Sequence, residues 1–266
     1  MNILPAYALF LRYWYLLLST PQRLVQVFIW SAFDIVLWGF VTKYLGEFGV
    51  SGINFTTILL GGLVFWQLIT RIQQGFIMVF LEDSWMRNFL NLFASPISFF
   101  EYLLGLTISS LSTSVLAVGF GFLAAAWLFG MQIPIVVGPI VLISLILSLF
   151  AITLGMISSA LVLRFGPTAE WFAWPIPAMI QPVVGVFYPI SVLPGWAQGI
   201  AAYLPPAHAF EALRAMIDQQ HIDFGPLFFA VLLATGYLLL AGLFFQRVYK
   251  WSLRTGAISR FGAESF

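Results

Sequence analysis

The sequence predicts an all-α integral membrane protein with six transmembrane helices, an amino-terminal interfacial helix and a re-entrant outer segment between helices five and six. Three observations carry that prediction. Of 266 residues, 61% are apolar and only 8% charged, whereas a water-facing surface takes about a quarter charged residues. Six stretches reach the ~20 apolar residues needed to cross ~30 Å of hydrocarbon. The Lys and Arg residues gather on one set of the connections between those stretches, as the retention of basic residues on the cytoplasmic face requires.

The elements follow in order. Pro5 and Arg12 do not fit a cleaved signal, so the start is read as mature chain. Residues 5–19 form an interfacial helix, because Tyr7, Tyr13, Trp14 and Tyr15 suit the headgroup layer, and Ser19-Thr20-Pro21 stops it. The alternative is a short extra span. The spans fall at about 24–45, 53–81, 100–129, 134–163, 172–189 and 226–248. Short connections at 46–52 and 130–133 lie on one side. The stretch 82–98, the turn 164–171 and both termini lie on the other. Arg12, Arg23, Arg87, Arg164, Arg247, Lys250, Arg254 and Arg260 then fall on the second side, against Lys43 and Arg214 on the first, with Arg71 inside a span. That bias makes the second side, and both termini, cytoplasmic.

Between spans five and six, residues 189–218 stay apolar while Pro189, Pro194, Pro205 and Pro206 break them repeatedly, so the segment is expected to dip into the bilayer and return. The plainer alternative is an outer loop with surface helices. Glu211 and Arg214 stand three apart on a short helix and can pair.

Several chemistries are excluded or unsupported. A net charge of +1 leaves nothing for a phosphate backbone, so no nucleic-acid partner is expected. Without Cys there are no disulfides, thiolate metal sites or cysteine nucleophiles. His208 and His221 lack metal-site spacing, and no Gly-x-Ser-x-Gly elbow occurs. The only lysines, Lys43 and Lys250, follow Thr42 and Tyr249, so no Walker loop exists and the chain binds no nucleotide cofactor by that route.

Two charges interrupt the spans. Asp34 lies as far after Arg23 as Arg71 lies before Glu82, so antiparallel neighbours can bring Asp34 and Arg71 to one depth. The favoured alternative has Arg71 snorkelling to the inner edge. On the cytoplasmic side, 82–94 reads as one amphipathic helix: Glu82 and Asp83 suit its start, and Trp85, Phe89, Leu92 and Phe93 share a face. Ser95-Pro96-Ile97-Ser98 and Glu101 then open the next span.

The runs Leu92-Phe-Ala-Ser-Pro-Ile-Ser-Phe-Phe-Glu-Tyr-Leu-Leu-Gly105 and Phe187-Tyr-Pro-Ile-Ser-Val-Leu-Pro-Gly-Trp196, continuing through Leu204-Pro205 to Glu211-Ala-Leu-Arg214, resemble the permease subunits of type-two ATP-binding-cassette exporters. The likeness runs over nearly the whole chain, as a single transmembrane permease domain. It implies no enzyme activity in the chain itself, a homodimer or a pair of such permease subunits, and two copies of a separate ATPase that holds ATP and Mg. It further implies a prokaryotic cytoplasmic or inner membrane location and a bulky amphipathic or polymeric cargo, either a lipid-linked polysaccharide or a hydrophobic small molecule. By the same resemblance 82–94 is the coupling helix, with Glu82, Asp83, Trp85, Arg87 and Phe89 at the ATPase, and Arg164 and Glu170 form a second cytoplasmic contact. Pro189, Pro194 and Trp196 belong to the outer gate. Phe65, Trp66, Phe187 and Tyr188 are candidates to line the pathway, since aromatic faces carry sugar rings or lipid chains, although such residues more often face lipid or core. An ion-coupled secondary transporter using Asp34 and Arg71, and an intramembrane lipid-modifying enzyme, remain as other classes; inverted repeats would mark the former.

Overall fold

The structure, a computed structural model, describes residues 3–47, 53–86, 88–132, 137–218 and 222–257. Among these residues the regular structure is entirely helical: α1 (Ile3–Ser19), α2 (Pro21–Glu47), α3 (Ile53–Trp85), α4 (Phe89–Ala94), α5 (Phe99–Phe129), α6 (Val137–Phe165), α7 (Glu170–Ala173), α8 (Ile176–Ile180), α9 (Gly195–Ala201), α10 (Pro205–Ile217) and α11 (Phe224–Thr255). Five of them, α2, α3, α5, α6 and α11, are long and apolar enough to cross a membrane. Residues 48–52 of the first expected loop, and Ile133 of the second, lie outside the described residues.

Local chemistry sets the helix ends. At the start of α5 the Ser98 hydroxyl accepts the Glu101 N–H while the Glu101 carboxylate accepts the Ser98 N–H. This capping box satisfies donors that a helix start leaves open. Gly130, at φ 66°, closes the other end: its N–H donates to the Ala126 carbonyl and that of Met131 to the Ala125 carbonyl. The Asp223 side chain caps α11 by accepting from Gly225 N–H.

Helix α3 is the axis of the bundle, packed on α2, α5 and α6, while α2 and α11 turn most of their surface outward. Lipid tails are as apolar as leucine, so such helices associate through close packing rather than through burial from water. Gly62 shows how close: a Cβ there would stand 2.5 Å from the Val186 carbonyl oxygen.

Side-chain contacts fix the directions. Arg23 on α2 meets Glu82 on α3, and Asp34 meets Arg71, so α2 and α3 are antiparallel. The Arg164 guanidinium lies 3.7 Å over the Trp251 ring, and Phe150 meets Tyr237 edge-on at 6.5 Å. The interval from Phe150 to Arg164 equals that from Tyr237 to Trp251, so α6 and α11 are parallel. The chain between Phe165 and Phe224 must therefore return the whole length of α6.

That return differs from the fifth span expected at 172–189. Instead of one helix the chain takes α7, α8, a turn-rich stretch to Tyr188, a 3₁₀ turn at Ile190–Val192, α9 and α10. Pro175, Pro177 and Pro182 are the reason: each lacks a backbone N–H and crowds the preceding turn. Gly185, at φ 68°, adds a left-handed residue that L side chains avoid. The expected single helix over 82–94 is likewise divided. Helix α3 runs on through Trp85, the Asn88 N–H bonds back to the Asp83 carbonyl at 2.9 Å, and α4 begins anew at Phe89.

Candidate functional site

The end of the bundle where α3 closes, which the charge bias predicts to be the inner one, fastens α1, α2 and α5 to α3 through two adjacent acids. Glu82 and Asp83 close α3 and are 3% and 2% exposed. Carboxylates at a helix C-terminus oppose its dipole, so they need cations nearby. Arg12 of α1 supplies one, Nη1 standing 2.6 Å from Asp83 Oδ1, and Arg23 of α2 supplies the other to Glu82. The Tyr102 hydroxyl donates to Asp83 Oδ2 at 3.1 Å and Asn88 Nδ2 donates to Oδ1 at 3.2 Å. Asp83 thus accepts from α1, from α5 and from the turn before α4. Burial first, and the Glu82 carboxylate second, push the neighbouring Tyr13 phenol up to about 12 against the opposing pull of Arg23. It is a neutral wall of this junction.

Aromatic packing holds the elbow from the other side. Phe89 is 1% exposed, 5.1 Å from the Phe80 ring, and Phe80 and Phe99 both meet Phe245 edge-on. Burying one such ring at a water-facing end contributes about 2 kcal/mol. The shared face expected for Trp85, Phe89, Leu92 and Phe93 is therefore split: Phe89 and Leu92 turn inward, while Trp85, at 53% exposed, and Met86 turn out, the Phe93 side chain lying outside those described. Glu82 and Asp83 also turn inward, onto helices of their own chain instead of toward a partner. Arg87 lies outside the described residues. Arg164 is exposed but stacked on Trp251, and Glu170 accepts from Trp174 Nε1 at 3.4 Å.

Toward the outer end, Phe65 and Trp66 are core residues, Trp66 approaching Phe210 at 6.4 Å. Phe187 stacks on Trp38 of α2 with centroids 4.4 Å apart. The Tyr188 hydroxyl donates to the Pro182 carbonyl. Pro189, Pro194 and Trp196 are exposed. The broken backbone here is bonded by side chains: Arg214 Nη2 donates to the carbonyls of Gly185 at 2.7 Å and Tyr188 at 3.0 Å, and the Ile190 N–H donates to Glu211 Oε1 at 2.8 Å. Glu211 and Arg214 also pair with each other at 3.3 Å, as their spacing predicts. Deeper in, Gln73 Nε2 donates to Ser158 Oγ and to the Ala173 carbonyl, both at 3.0 Å.

At mid-helix Asp34 Oδ2 stands 4.0 Å from Arg71 Nη2, the less favoured of the two sequence readings. Arg71 lies eleven residues from Glu82, about 16 Å along the helix, too far up to reach the inner end. Sequence reasoning missed Arg12, Arg23, Asn88 and Tyr102 as members of the inner junction. The equal intervals that aligned Asp34 with Arg71 align Arg23 with Glu82 as well, and that was the available signal.

No cluster of three His, Asp or Glu able to hold a metal ion occurs among the described residues. His208 Nε2 is 2.9 Å from the Ala202 carbonyl, and its ring meets Phe229 edge-on.

A bundle with five helices long and apolar enough to cross a membrane, tied at one end by ion pairs on two buried carboxylates, defines a multi-pass membrane component. The chain belongs to the ABC-2 type transporter family, whose model matches residues 7–217. That family consists of transporter permease components rather than enzymes, and membership implies pairing with an ABC ATPase. No curated protein matches the chain.

Proposed function

We propose that this chain is the pathway-forming subunit of an ATP-driven exporter for a bulky amphipathic or polymeric cargo, a lipid-linked polysaccharide or a hydrophobic small molecule, in a prokaryotic cytoplasmic membrane. Two copies enclose one pathway and two ATPase subunits carry ATP and Mg beneath them. Five long helices and the broken return from α7 to α10 make six crossings, with both termini cytoplasmic. The segment 189–218 is the outer gate, and Phe187 and Tyr188 stand at its entrance. Backbone without regular bonding is tolerated at membrane depth only where protein satisfies it or water reaches it. The donors from Arg214 and Gln73 meet that condition and support this reading.

The observation that carries the proposal is the ion-paired elbow at Glu82 and Asp83. A rigid fastener between α1, α2 and the α3–α4 junction suits an element that must pass motion from a docked ATPase into the bundle. Nucleotide-driven rocking of the elbow would shift the populations of inward- and outward-open dimers. Glu82 and Asp83 then act as positioning residues, and Trp85, Met86, Arg87 and Arg164 are the groups offered to the ATPase.

Trp85→Ala and Arg87→Ala in the assembled complex test this. Substrate-stimulated ATP hydrolysis should fall severalfold while expression and basal hydrolysis persist. Unchanged stimulation would remove the coupling assignment. Uphill transport by the purified subunit alone in vesicles, without nucleotide, would remove the exporter reading and favour an ion-coupled transporter.

A further inference from the structure

A cavity of about 360 Å³ runs along α3 from the inner junction to mid-helix. Its mouth is formed by Arg23, Glu82 and Trp85, and its upper end by Arg71 and Trp174. Trp85 to Arg71 spans about 21 Å of helix, so the cavity reaches from the cytoplasmic headgroup level toward the bilayer centre. Its back wall is buried and carries the hydroxyl-bearing Thr113 and Ser114, with Gln26 and Gln74 also lining it. Its front edge is the exposed Trp30 of α2, beside the apolar, outward-facing Ile29 and Phe33.

The upper end holds an under-bonded cation. The Arg71 side chain is 13% exposed, its one carboxylate contact among the described residues is the 4.0 Å approach of Asp34, and Nη1 reaches Gln74 Oε1 only at 3.4 Å. Arg71 Nε is buried without a hydrogen-bond partner among the described residues. A guanidinium presents five donors in a planar fork that fits carboxylate and phosphate, and leaving them unmet in low dielectric is costly. Of the charged groups lining the cavity, Arg23 is in direct contact with Glu82, whereas Arg71 has the longer 4.0 Å approach of Asp34, which itself stands outside the lining. Indole walls at Trp30, Trp85 and Trp174 supply the amphipathic surfaces that accompany headgroups at membrane interfaces.

We infer that this cavity receives the head of an anionic amphiphile from the inner leaflet, with a phosphate or carboxylate on Arg71 and the apolar tail along the outward face of α2. The inference builds on the exporter reading, since it names the class of cargo. Binding is nevertheless read without nucleotide or ATPase, so either can fail alone.

The full chain is placed in phosphatidylcholine nanodiscs carrying a small fraction of brominated phosphatidylglycerol or, separately, brominated phosphatidylcholine. Tryptophan quenching is measured, and the part lost in Trp174→Phe is assigned to the cavity. That part should show apparent affinity about tenfold higher for the anionic lipid, the scale of one charge-assisted contact. Arg71→Gln should abolish the preference and Arg71→Lys retain part of it. Equal quenching by both lipids in the wild type, which needs no variant to fold, overturns the inference. So does an unchanged preference in a folded Arg71→Gln protein. Glycerol phosphate added to the buffer tests the other source of the same group: its binding to the cavity without any lipid preference would mark a soluble anion site and equally overturn the inference.

Discussion

Helices α2 and α3 carry two acid–base pairs of opposite character. At the inner end Arg23 and Glu82 are in direct contact, and beside them Asp83 collects Arg12, Tyr102 and Asn88. At mid-helix Asp34 and Arg71 share a single 4.0 Å approach, with the Asp34 side chain 41% exposed. The same two helices thus hold one pair as a fastener and keep the other loosely bonded. The difference follows from what each site must satisfy. Buried carboxylates at the end of α3 oppose the helix dipole and are stable only when fully answered. A loosely held guanidinium in the bilayer is tolerated where a cavity gives it water or a ligand.

The sharpest way to break the comparison is at Asp83. Replacing it with Asn leaves Arg12 without its partner and removes the charge that accepts from Tyr102. Breaking a buried pair from one side costs about 3–5 kcal/mol, and because Arg12 is 35% exposed and keeps water, the loss here falls at the lower end, about 3 kcal/mol. Asp83→Asn should therefore lower detergent-solution stability by that order. Adding Arg12→Gln should recover part of the loss in a double-mutant cycle. Additive losses would show that α1 is not fastened through this pair.

A smaller effect is expected at the outer break. Arg214→Gln removes the donors to the Gly185 and Tyr188 carbonyls, and each unsatisfied buried acceptor costs about 1–3 kcal/mol. The loss should be local: amide exchange should accelerate over 185–190 while the α3–α4 elbow stays protected. Acceleration at both ends would mean that the two regions unfold as one unit. Arg214→Lys should restore little, because a single ammonium does not reproduce the planar fork of donors.

The sequence made the five long helices legible because apolar length alone marks a candidate span. Prolines 175, 177 and 182 were visible too, but the hydropathy of 172–189 outweighed them, and the continuous fifth helix was the result. The coupling stretch failed differently. Helical spacing groups Trp85 with Phe89 only if one helix joins them, and the break before Phe89, where Asn88 bonds back to Asp83, has no proline or glycine in the sequence to announce it. Ser98 and Glu101, by contrast, form a capping box whose signature is entirely local. Arg12 and Arg23 read as topology markers, since nothing in the composition of α1 says that Arg12 lies beside Asp83.

The smallest expected effect gives the most direct comparison. Asp34→Asn should cost under about 1 kcal/mol of stability, because a 4.0 Å contact with one half-exposed partner resembles a surface pair more than a buried one. Two double-mutant cycles on the same helices make the test, Asp34→Asn with Arg71→Gln and Glu82→Gln with Arg23→Gln. The inner cycle should give a coupling energy of ~2 kcal/mol or more, and the outer one a value within a few tenths of zero. Arg71→Gln by itself should be nearly neutral or stabilising in phosphatidylcholine, since it removes a cation whose Nε has no partner among the described residues. Equal coupling energies would mean that Asp34 satisfies Arg71 as fully as Glu82 satisfies Arg23. The mid-helix guanidinium would then have no donors to spare for a ligand, and the cavity beside it would lose its electrostatic reason to bind an anion.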